Sequence, residues 1–257
     1  LSSQKSEFTM GAVYLKVLTA AMELSEGTYR IQGLSVVDIA QQFGTPIYVY
    51  DGSKIASQIR SLKTAFSGAD VKVKYAAKAL TNLSILKLIR KHGAGIEVVS
   101  LEEAAIAMKA GYTPPEIVFT PSGVGFNEII QGVNFGLSIN IDNLPTLQKF
   151  GEKYRNTVPC GIRLNPHIMA GGNYKISTGH SNSKFGISIY QLAQIRELVE
   201  KYDIQVHGLH IHTGSEITET DIFLKMAEIL FSAAVAFPDL TFIDFGSGCK
   251  VAYKEGD

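Results

Sequence analysis

Length, composition and charge narrow the classes of protein to which this chain can belong. The sequence has 257 residues, of which 46% are hydrophobic, so it can bury the core of one large α/β domain or two smaller ones. Its 24 basic and 24 acidic residues balance, which leaves no electrostatic footprint for nucleic acid or an anionic membrane. Two cysteines, Cys160 and Cys249, exclude a disulfide framework and a four-cysteine zinc site, and their apolar contexts predict small buried side chains.

The sequence carries no signal for insertion into a membrane or for export. No run of about 18 apolar residues is present, and residues 1–11 lack the basic and apolar regions of a signal peptide. We therefore expect a soluble cytoplasmic protein with neither a nucleic-acid nor a membrane partner.

The first predicted elements lie ahead of any barrel-like repeat. Ile47–Asp51 has the β-branched and aromatic content of a short strand. Ser53–Phe66 predicts a helix, with Ser53 as its N-cap. Residues 1–22 have no clear place in this scheme.

From Val71 onward, apolar strand candidates alternate with amphipathic helix candidates. The strands are predicted at Val71–Ala76, Gly95–Val99, Ile117–Thr120, Leu137–Ile141, Cys160–Leu164, Val206–His212 and Thr241–Phe245. The helices are predicted at Leu83–His92, Leu101–Ala110, Asn127–Phe135, Leu144–Tyr154, Ile189–Tyr202 and Asp221–Phe237. This alternation predicts a parallel sheet covered on both faces, typical of a (β/α)8 TIM-type barrel, with a doubly wound open sheet as the alternative. Seven of the eight barrel strands are found, so we expect further sequence to follow Asp257.

Polar residues gather where these strands end, and ligands bind at that edge in parallel α/β folds. Lys78 follows the first strand, where it could form a Schiff base with an aldehyde cofactor if desolvation lowered its pKa; the alternative is a surface lysine at a strand end. His212 could face a flat ring or be a hydrogen-bonded core histidine. His210 lies on the same strand face, but no carboxylate or cysteine at ligand spacing supports a metal site.

Further strand ends carry an arginine and a glycine-rich turn. Arg163, on an apolar strand, requires a π-face, a cofactor or an ion pair with Glu97 or Glu103. Asp244-Phe245-Gly246-Ser247-Gly248 could cradle a phosphate with backbone amides, or simply form a turn. Ser215 could add a hydroxyl to the same anion or cap a helix. Lys184 is expected on a loop over the site, or as a solvated lysine.

A lysine nucleophile, a glycine-rich anion site, a ring-facing histidine and a fixed arginine together suit a ligand that is an aromatic aldehyde phosphate. Pyridoxal 5′-phosphate (PLP) is such a compound. Tyr75-Ala76-Ala77-Lys78-Ala79, His212-Thr213-Gly214-Ser215 and Asp244–Gly248 resemble segments of the alanine racemase-fold (fold type III) PLP decarboxylases. Residues 45–51, Gly161-Ile162-Arg163-Leu164-Asn165-Pro166 and residues 176–186 resemble the diaminopimelate decarboxylase family most closely. The part of this resemblance that is most specific to the family is the stretch with Ser177-Thr178-Gly179 and Ser183-Lys184-Phe185-Gly186.

The resemblance implies catalytic roles for Lys78, as the Schiff-base lysine, and for His212, which stacks on the cofactor ring. It implies that Ser215, Gly246, Ser247 and Gly248 hold the phosphate, with Arg163 and Glu97 close to the cofactor and Lys78. It further implies a homodimer with shared sites, in which residues 1–51 contribute partly to a second β-domain. Residues 52–257 would form the PLP-binding barrel, with its last strand and the C-terminal β-domain missing.

The implied reaction is decarboxylation of meso-2,6-diaminopimelate to L-lysine. The alternatives are ornithine, arginine or carboxynorspermidine decarboxylase, alanine racemase, and a non-catalytic PLP-carrier barrel. The residues that grip the distal end of the substrate, and the proton-donor cysteine, are expected beyond Asp257.

Overall fold

The computed structural model describes residues 22–170, 177–180 and 183–251. The contacts of the chain divide it into two compact units: Leu1–Phe66 with Ala252–Asp257, and Ser67–Val251. Within the described residues, no helix has the length and apolar character needed to cross a membrane.

In the first unit, the described residues form a small antiparallel sheet and two helices. Its strands are β1 (Glu23–Ser25), β2 (Thr28–Ile31) and β3 (Leu34–Ser35), paired in chain order, and its helices are α1 (Val36–Phe43) and α2 (Gly52–Ala65). The prediction of Ser53 as the N-cap of α2 is wrong. Asp51 caps this helix, because its Oδ1 accepts a hydrogen bond from the Lys54 amide at 3.0 Å.

The predicted strand at Ile47–Asp51 does not form. Residues 47–51 have no regular secondary structure, and Tyr48 is 88% exposed. A strand needs a neighbour to receive its backbone hydrogen bonds, and no described strand pairs with this segment. Its β-branched and aromatic composition was therefore not sufficient to predict strand structure.

The second unit is a partial TIM barrel. Its strands are β4 (Lys74–Ala76), β5 (Gly95–Val98), β6 (Ile117–Phe119), β7 (Ser138–Ile141), β8 (Cys160–Asn165), β9 (Ile187–Ser188), β10 (Val206–Ile211) and β11 (Phe242–Asp244). Apart from the short β9, which pairs with β8, the sheet follows chain order from β4 to β11, and every pair in it is parallel. A doubly wound sheet reverses its strand order at a switch point. The sequential order therefore confirms the barrel.

Helices follow most of the barrel strands. They are α3 (Leu83–Lys91), α4 (Leu101–Lys109), α5 (Phe126–Asn134), α6 (Leu144–Tyr154), α7 (Leu192–Tyr202) and α8 (Thr220–Ala234). The strand residues that face them, such as Ile96, Phe119 and Ile162, are fully buried, and β8 is buried along its whole length. The predicted elements of this unit are confirmed with shifts of up to three residues at their ends; β4, for example, begins at Lys74 rather than at Val71.

The two cysteines differ in their surroundings. Cys160 is buried in β8, and burial raises its pKa to about 12. Cys249 is exposed, so the prediction of a second buried cysteine is wrong. The reason is that Cys249 lies in the loop after β11, outside the strands that form the core, where its backbone makes an isolated bridge to Ile217.

Candidate functional site

The register of the last strands places three polar side chains side by side. His210 of β10 is paired with Arg163 of β8 on one side and with Asp244 of β11 on the other. Residues in register on adjacent strands point to the same face of a sheet. Burial lowers the pKa of Arg163, while the charges of Glu97, Asp142 and Asp244 act in the opposite direction. Acidic and basic groups thus share the inner face of the barrel at its carboxyl end.

Arg163 is stabilised by an aromatic ring. Its side chain is 7% exposed and its Cζ lies 4.9 Å from the centroid of the Phe185 ring. One of the alternatives left open by the sequence, an ion pair with Glu97 or Glu103, is absent from the described residues, and Glu103 accepts a hydrogen bond from the Val99 amide at 2.8 Å. Lys184 is exposed, and its Nζ lies 5.1 Å from the same ring. A cation over an aromatic face is stabilised without a counter-ion, so Phe185 provides the π-face that the sequence required.

Two neutral imidazoles lie next to this arginine. Burial, with the nearby charges of Arg163 and Lys78, lowers the pKa of His210 to about 4, against the opposing influence of Glu97. Burial and the charges of Lys78 and Arg163 lower the pKa of His212 to about 3, although a hydrogen bond with the backbone of Ser247 opposes this shift. Both rings are therefore uncharged at neutral pH. Among the described residues, no group of three or more His, Cys, Asp or Glu could hold a metal ion.

Lys78 lies at the mouth of β4. It belongs to a 3₁₀ turn, Ala77–Ala79, that directly follows the strand, and its charge acts on both His210 and His212. Its side chain is exposed, as in the alternative of a surface lysine at a strand end. The position therefore leaves the amine open to a ligand that enters from the carboxyl end of the barrel.

The glycine-rich turn after β11 packs directly against the loop after β10. Gly246 and Gly248 have φ angles of 61° and 133°. A Cβ on Gly246 would overlap the carbonyl oxygen of Ile211, and one on Gly248 would overlap that of Gly214. The two loops are also joined by hydrogen bonds, from the Ile217 amide to the Gly248 carbonyl at 2.8 Å and from the Lys250 amide to the Ile217 carbonyl at 3.0 Å. Only glycine allows this approach.

The turn retains free donors for an anion. The Gly246 amide donates to Asp244 Oδ1 at 2.8 Å, so it is already used within the turn. The amides of Ser247 and Gly248 donate to no acceptor among the described residues. Ser215 is exposed and does not cap a helix, because α8 begins at Thr220 with Glu219 in the cap position. Two amides and a hydroxyl on the joined loops match the donors that a phosphate requires.

Sequence reasoning assigned no role to several residues of this region. Asp244 holds the glycine turn through Gly246, and Phe185 contacts Arg163. Lys74, whose pKa is lowered by burial, is close enough to Asp244 and Glu97 for their charges to act on it. Side chains along β4 and β11 alternate between the two faces of the sheet, and this alternation could have indicated the face on which Lys74 and Asp244 lie. No local pattern identifies Phe185 as the partner of Arg163, since they are far apart in sequence.

The fold and these groups define a class of protein: a TIM-type barrel that binds an anionic, aromatic aldehyde cofactor at the carboxyl end of its strands. An accessible lysine amine, a neutral imidazole and unused amide donors meet the requirements of the aldehyde, ring and phosphate of PLP. The donor set therefore fits PLP.

Comparison with known proteins identifies the family. The family model described as "Pyridoxal-dependent decarboxylase, pyridoxal binding domain" matches residues 52–257. Diaminopimelate decarboxylase of Methanothermobacter thermautotrophicus is 32% identical over 235 residues, which are 89% of this chain and 55% of that protein. The Staphylococcus aureus enzyme is 33% identical over 242 residues, 90% of this chain and 56% of that protein.

Solved structures agree with the sequence matches. Diaminopimelate decarboxylase of Helicobacter pylori complexed with L-lysine matches with a TM-score of 0.78 at 31% identity, over 86% of this chain and 58% of that chain. The enzyme of M. jannaschii in co-complex with L-lysine matches with a TM-score of 0.80 at 26% identity, over 93% of this chain and 59% of that chain.

The chain therefore belongs to the pyridoxal-dependent decarboxylases, within their pyridoxal binding domain, and its cofactor is PLP. Its similarity within that family is to diaminopimelate decarboxylases, which confirms the resemblance found from the motifs. The chain spans a little over half of the length of the curated relatives it matches.

Proposed function

We propose that the protein containing this chain decarboxylates meso-2,6-diaminopimelate to L-lysine and CO₂, the last step of lysine biosynthesis. The observation that carries this proposal is the identity of about one third to curated diaminopimelate decarboxylases over nine tenths of the chain. Two related enzymes that have been crystallised with L-lysine, the product of this reaction, support the same substrate.

The proposal assigns a role to each predicted site residue. Lys78 holds the cofactor covalently through Nζ, and the neutral ring of His212 packs on the cofactor ring. Ser215 and the turn of Gly246, Ser247 and Gly248 hold the phosphate. When bound, PLP supplies the electron-withdrawing ring that weakens the bond between Cα and the carboxylate.

The physical state of the neighbouring residues supports these roles. The ring of His212 is uncharged, so it can stack on a cationic pyridine ring without repulsion. Arg163 keeps its position through Phe185, which leaves its guanidinium donors available for the cofactor. Glu97 is paired in register with Ala76, two residues before Lys78, and it remains on the inner face to support that lysine.

We further propose that the protein is a cytoplasmic homodimer with shared active sites. Residues 1–51 would be an N-terminal segment that contributes to a second β-domain, and residues 52–257 would form the PLP-binding barrel. The support is the family match, which begins at residue 52, together with the resemblance to dimeric fold type III decarboxylases. Light scattering of the purified protein tests the dimer: a monomeric mass with bound PLP and full activity would contradict it.

Two measurements test the function. The protein should show a visible PLP absorbance band, and borohydride reduction should attach the cofactor to the peptide that contains Lys78. Lys78→Ala should lose both signals, whereas Lys91→Ala, which removes an exposed lysine at the end of α3, should keep them. A reduced adduct that persists in Lys78→Ala would contradict the assignment of this lysine.

A substrate panel tests the reaction. CO₂ release should be much faster from meso-2,6-diaminopimelate than from ornithine, arginine or lysine. Faster release from one of the other amino acids would indicate a related fold type III decarboxylase. PLP binding without CO₂ release from any of them would indicate a carrier barrel.

A further inference from the structure

The segment Ser177–Gly179 is bonded to the loop that carries His212. Thr178 Oγ1 donates to the carbonyl oxygen of His212 at 2.7 Å, and the Thr178 amide donates to the carbonyl oxygen of Thr213 at 2.8 Å. The Gly179 amide and Ser177 Oγ donate to the same Thr213 oxygen at 3.1 and 3.3 Å. Two successive carbonyl groups after β10 therefore have their partners in this one segment.

The close packing of this segment depends on its glycine. A Cβ on Gly179 would lie 2.7 Å from the carbonyl oxygen of Ile168 and 2.8 Å from Cγ2 of Thr213, distances that real Cβ atoms do not adopt. Ser177 is buried, and its Oγ also accepts a hydrogen bond from the Ala170 amide at 3.4 Å. The segment is thus fixed from both sides, and it can hold the His212 loop in one position.

Two hydrogen bonds act on His212, one at its ring and one at its carbonyl group. Its ring is half-buried and is hydrogen-bonded with the backbone of Ser247 in the glycine turn. The Thr178 bond at the carbonyl oxygen is the second constraint, and it acts on the point where β10 ends. Because side-chain direction follows the backbone, a shift of this carbonyl group would tilt the imidazole.

From these contacts we propose that Thr178 is a positioning residue, which sets the orientation of the His212 ring for the cofactor by holding the His212 carbonyl group. The inference deepens the proposed function and rests on it, since it requires that His212 packs on PLP. It gives a physical role to the Ser177-Thr178-Gly179 motif, whose three residues all bond to the carbonyl groups of His212 and Thr213.

The test compares variants that keep or remove the hydroxyl. Thr178→Val removes the hydroxyl at nearly constant shape, and Thr178→Ser keeps the hydroxyl and removes only the methyl group. Thr241→Val is the matched control, because Thr241 Oγ1 also donates to a histidine carbonyl on β10, that of His207 at 3.0 Å, but at the amino end of the strand. Thr178→Ala is a second variant without the hydroxyl, to be used if thermal melting shows that Thr178→Val does not fold.

Cofactor affinity is the first measurement. Thr178→Val should raise the Kd for PLP about tenfold, because an unpartnered carbonyl group moves towards solvent or another donor. Thr178→Ser should stay within about threefold of the unmodified protein, and Thr241→Val should leave the Kd unchanged. In a His212→Ala background, Thr178→Val should change the Kd by less than about twofold, since the effect passes through the imidazole. An equal loss in both backgrounds would overturn the proposal.

The second measurement does not need the cofactor. In PLP-free protein labelled at histidine, Thr178→Val should shift and broaden the imidazole resonances of His212, while Thr178→Ser and Thr241→Val leave them in place. Unchanged His212 resonances in Thr178→Val would overturn the inference whatever the affinities are. If His212→Ala has no effect on PLP binding while the resonances respond as expected, then the proposed role of His212 fails and the structural link to Thr178 remains.

Discussion

A methyl group at position 248 tests whether the close approach of the two loops is required for cofactor binding. Gly248→Ala should destabilise the protein for two separate reasons. The φ angle of 133° lies in a region that an alanine rarely adopts, and such strain costs about 1–3 kcal/mol. The new Cβ would also overlap the Gly214 carbonyl oxygen, and forced overpacking of this kind costs about 1–3 kcal/mol more.

A second glycine serves as a control that has a positive φ but no overlap. Gly123 also has a positive φ, 71°, but a Cβ there meets no atom within 4 Å. Gly123→Ala should therefore show the strain alone. Both variants gain about 0.4–1 kcal/mol from the reduced entropy of the unfolded chain, so this term cancels between them. The difference between the two variants, at least about 1–3 kcal/mol, reports the overlap at Gly214 together with the greater strain of a φ of 133°, which lies further from the left-handed helical region than 71° does.

The assay measures both stability and affinity. Urea unfolding without cofactor gives the free energy of unfolding of each variant, and titration with PLP gives the Kd. If the loops separate locally, the overlap appears as a loss of affinity of about 5- to 150-fold in Gly248→Ala and not in Gly123→Ala. If the loops stay together, the cost of the overlap appears instead as a lower free energy of unfolding of Gly248→Ala. Equal values for the two variants in both measurements would refute the reasoning.

Two further predictions concern acid stability and thiol reactivity. His210 and His212 have pKa values of about 4 and 3 in the folded protein and about 6.5 in the unfolded chain. Between these values the unfolded state binds more protons than the folded state. The free energy of unfolding should therefore decrease as the pH falls from about 6.5 towards 4. Urea unfolding of PLP-free protein at several pH values measures this slope, which His210→Gln should reduce; an unchanged slope would contradict the buried neutral state. A thiol reagent at pH 8 should label Cys249 in the folded protein and Cys160 only after unfolding, since Cys160 is buried with a pKa of about 12. Peptide mapping identifies the labelled residue, and labelling of Cys160 in the folded protein would show that β8 opens.

The barrel could be predicted because its information is local and repeated. Strands that are apolar throughout, such as Ile117–Phe119, alternate with helices whose apolar residues recur every three or four positions. Since the carboxyl ends of parallel strands share one edge, residues that follow different strands could be expected near each other before any distance was known. Lys78, Arg163 and His212 were identified in this way.

Two of the wrong predictions, the strand at residues 47–51 and the burial of Cys249, share a different cause, because each depended on a partner distant in the chain. The strand at residues 47–51 required a neighbouring strand that the described structure does not provide. The burial of Cys249 depended on what covers the loop after β11. For Arg163 the sequence left a π-face, a cofactor and an ion pair open, and the structure supplies an aromatic ring 22 positions further along the chain. Composition indicates that a residue needs a partner, but not which group will supply it.

The sequence by itself determined the fold class, the cofactor and the edge of the barrel at which the site lies, because periodicity and strand ends are properties of neighbouring residues. Only the tertiary structure decided the state of the site. It neutralised the imidazoles through burial, used the Gly246 amide within its own turn, and bonded Thr178 to the His212 carbonyl group. These properties arise from desolvation and from contacts across the fold, which exist only once the strands are assembled.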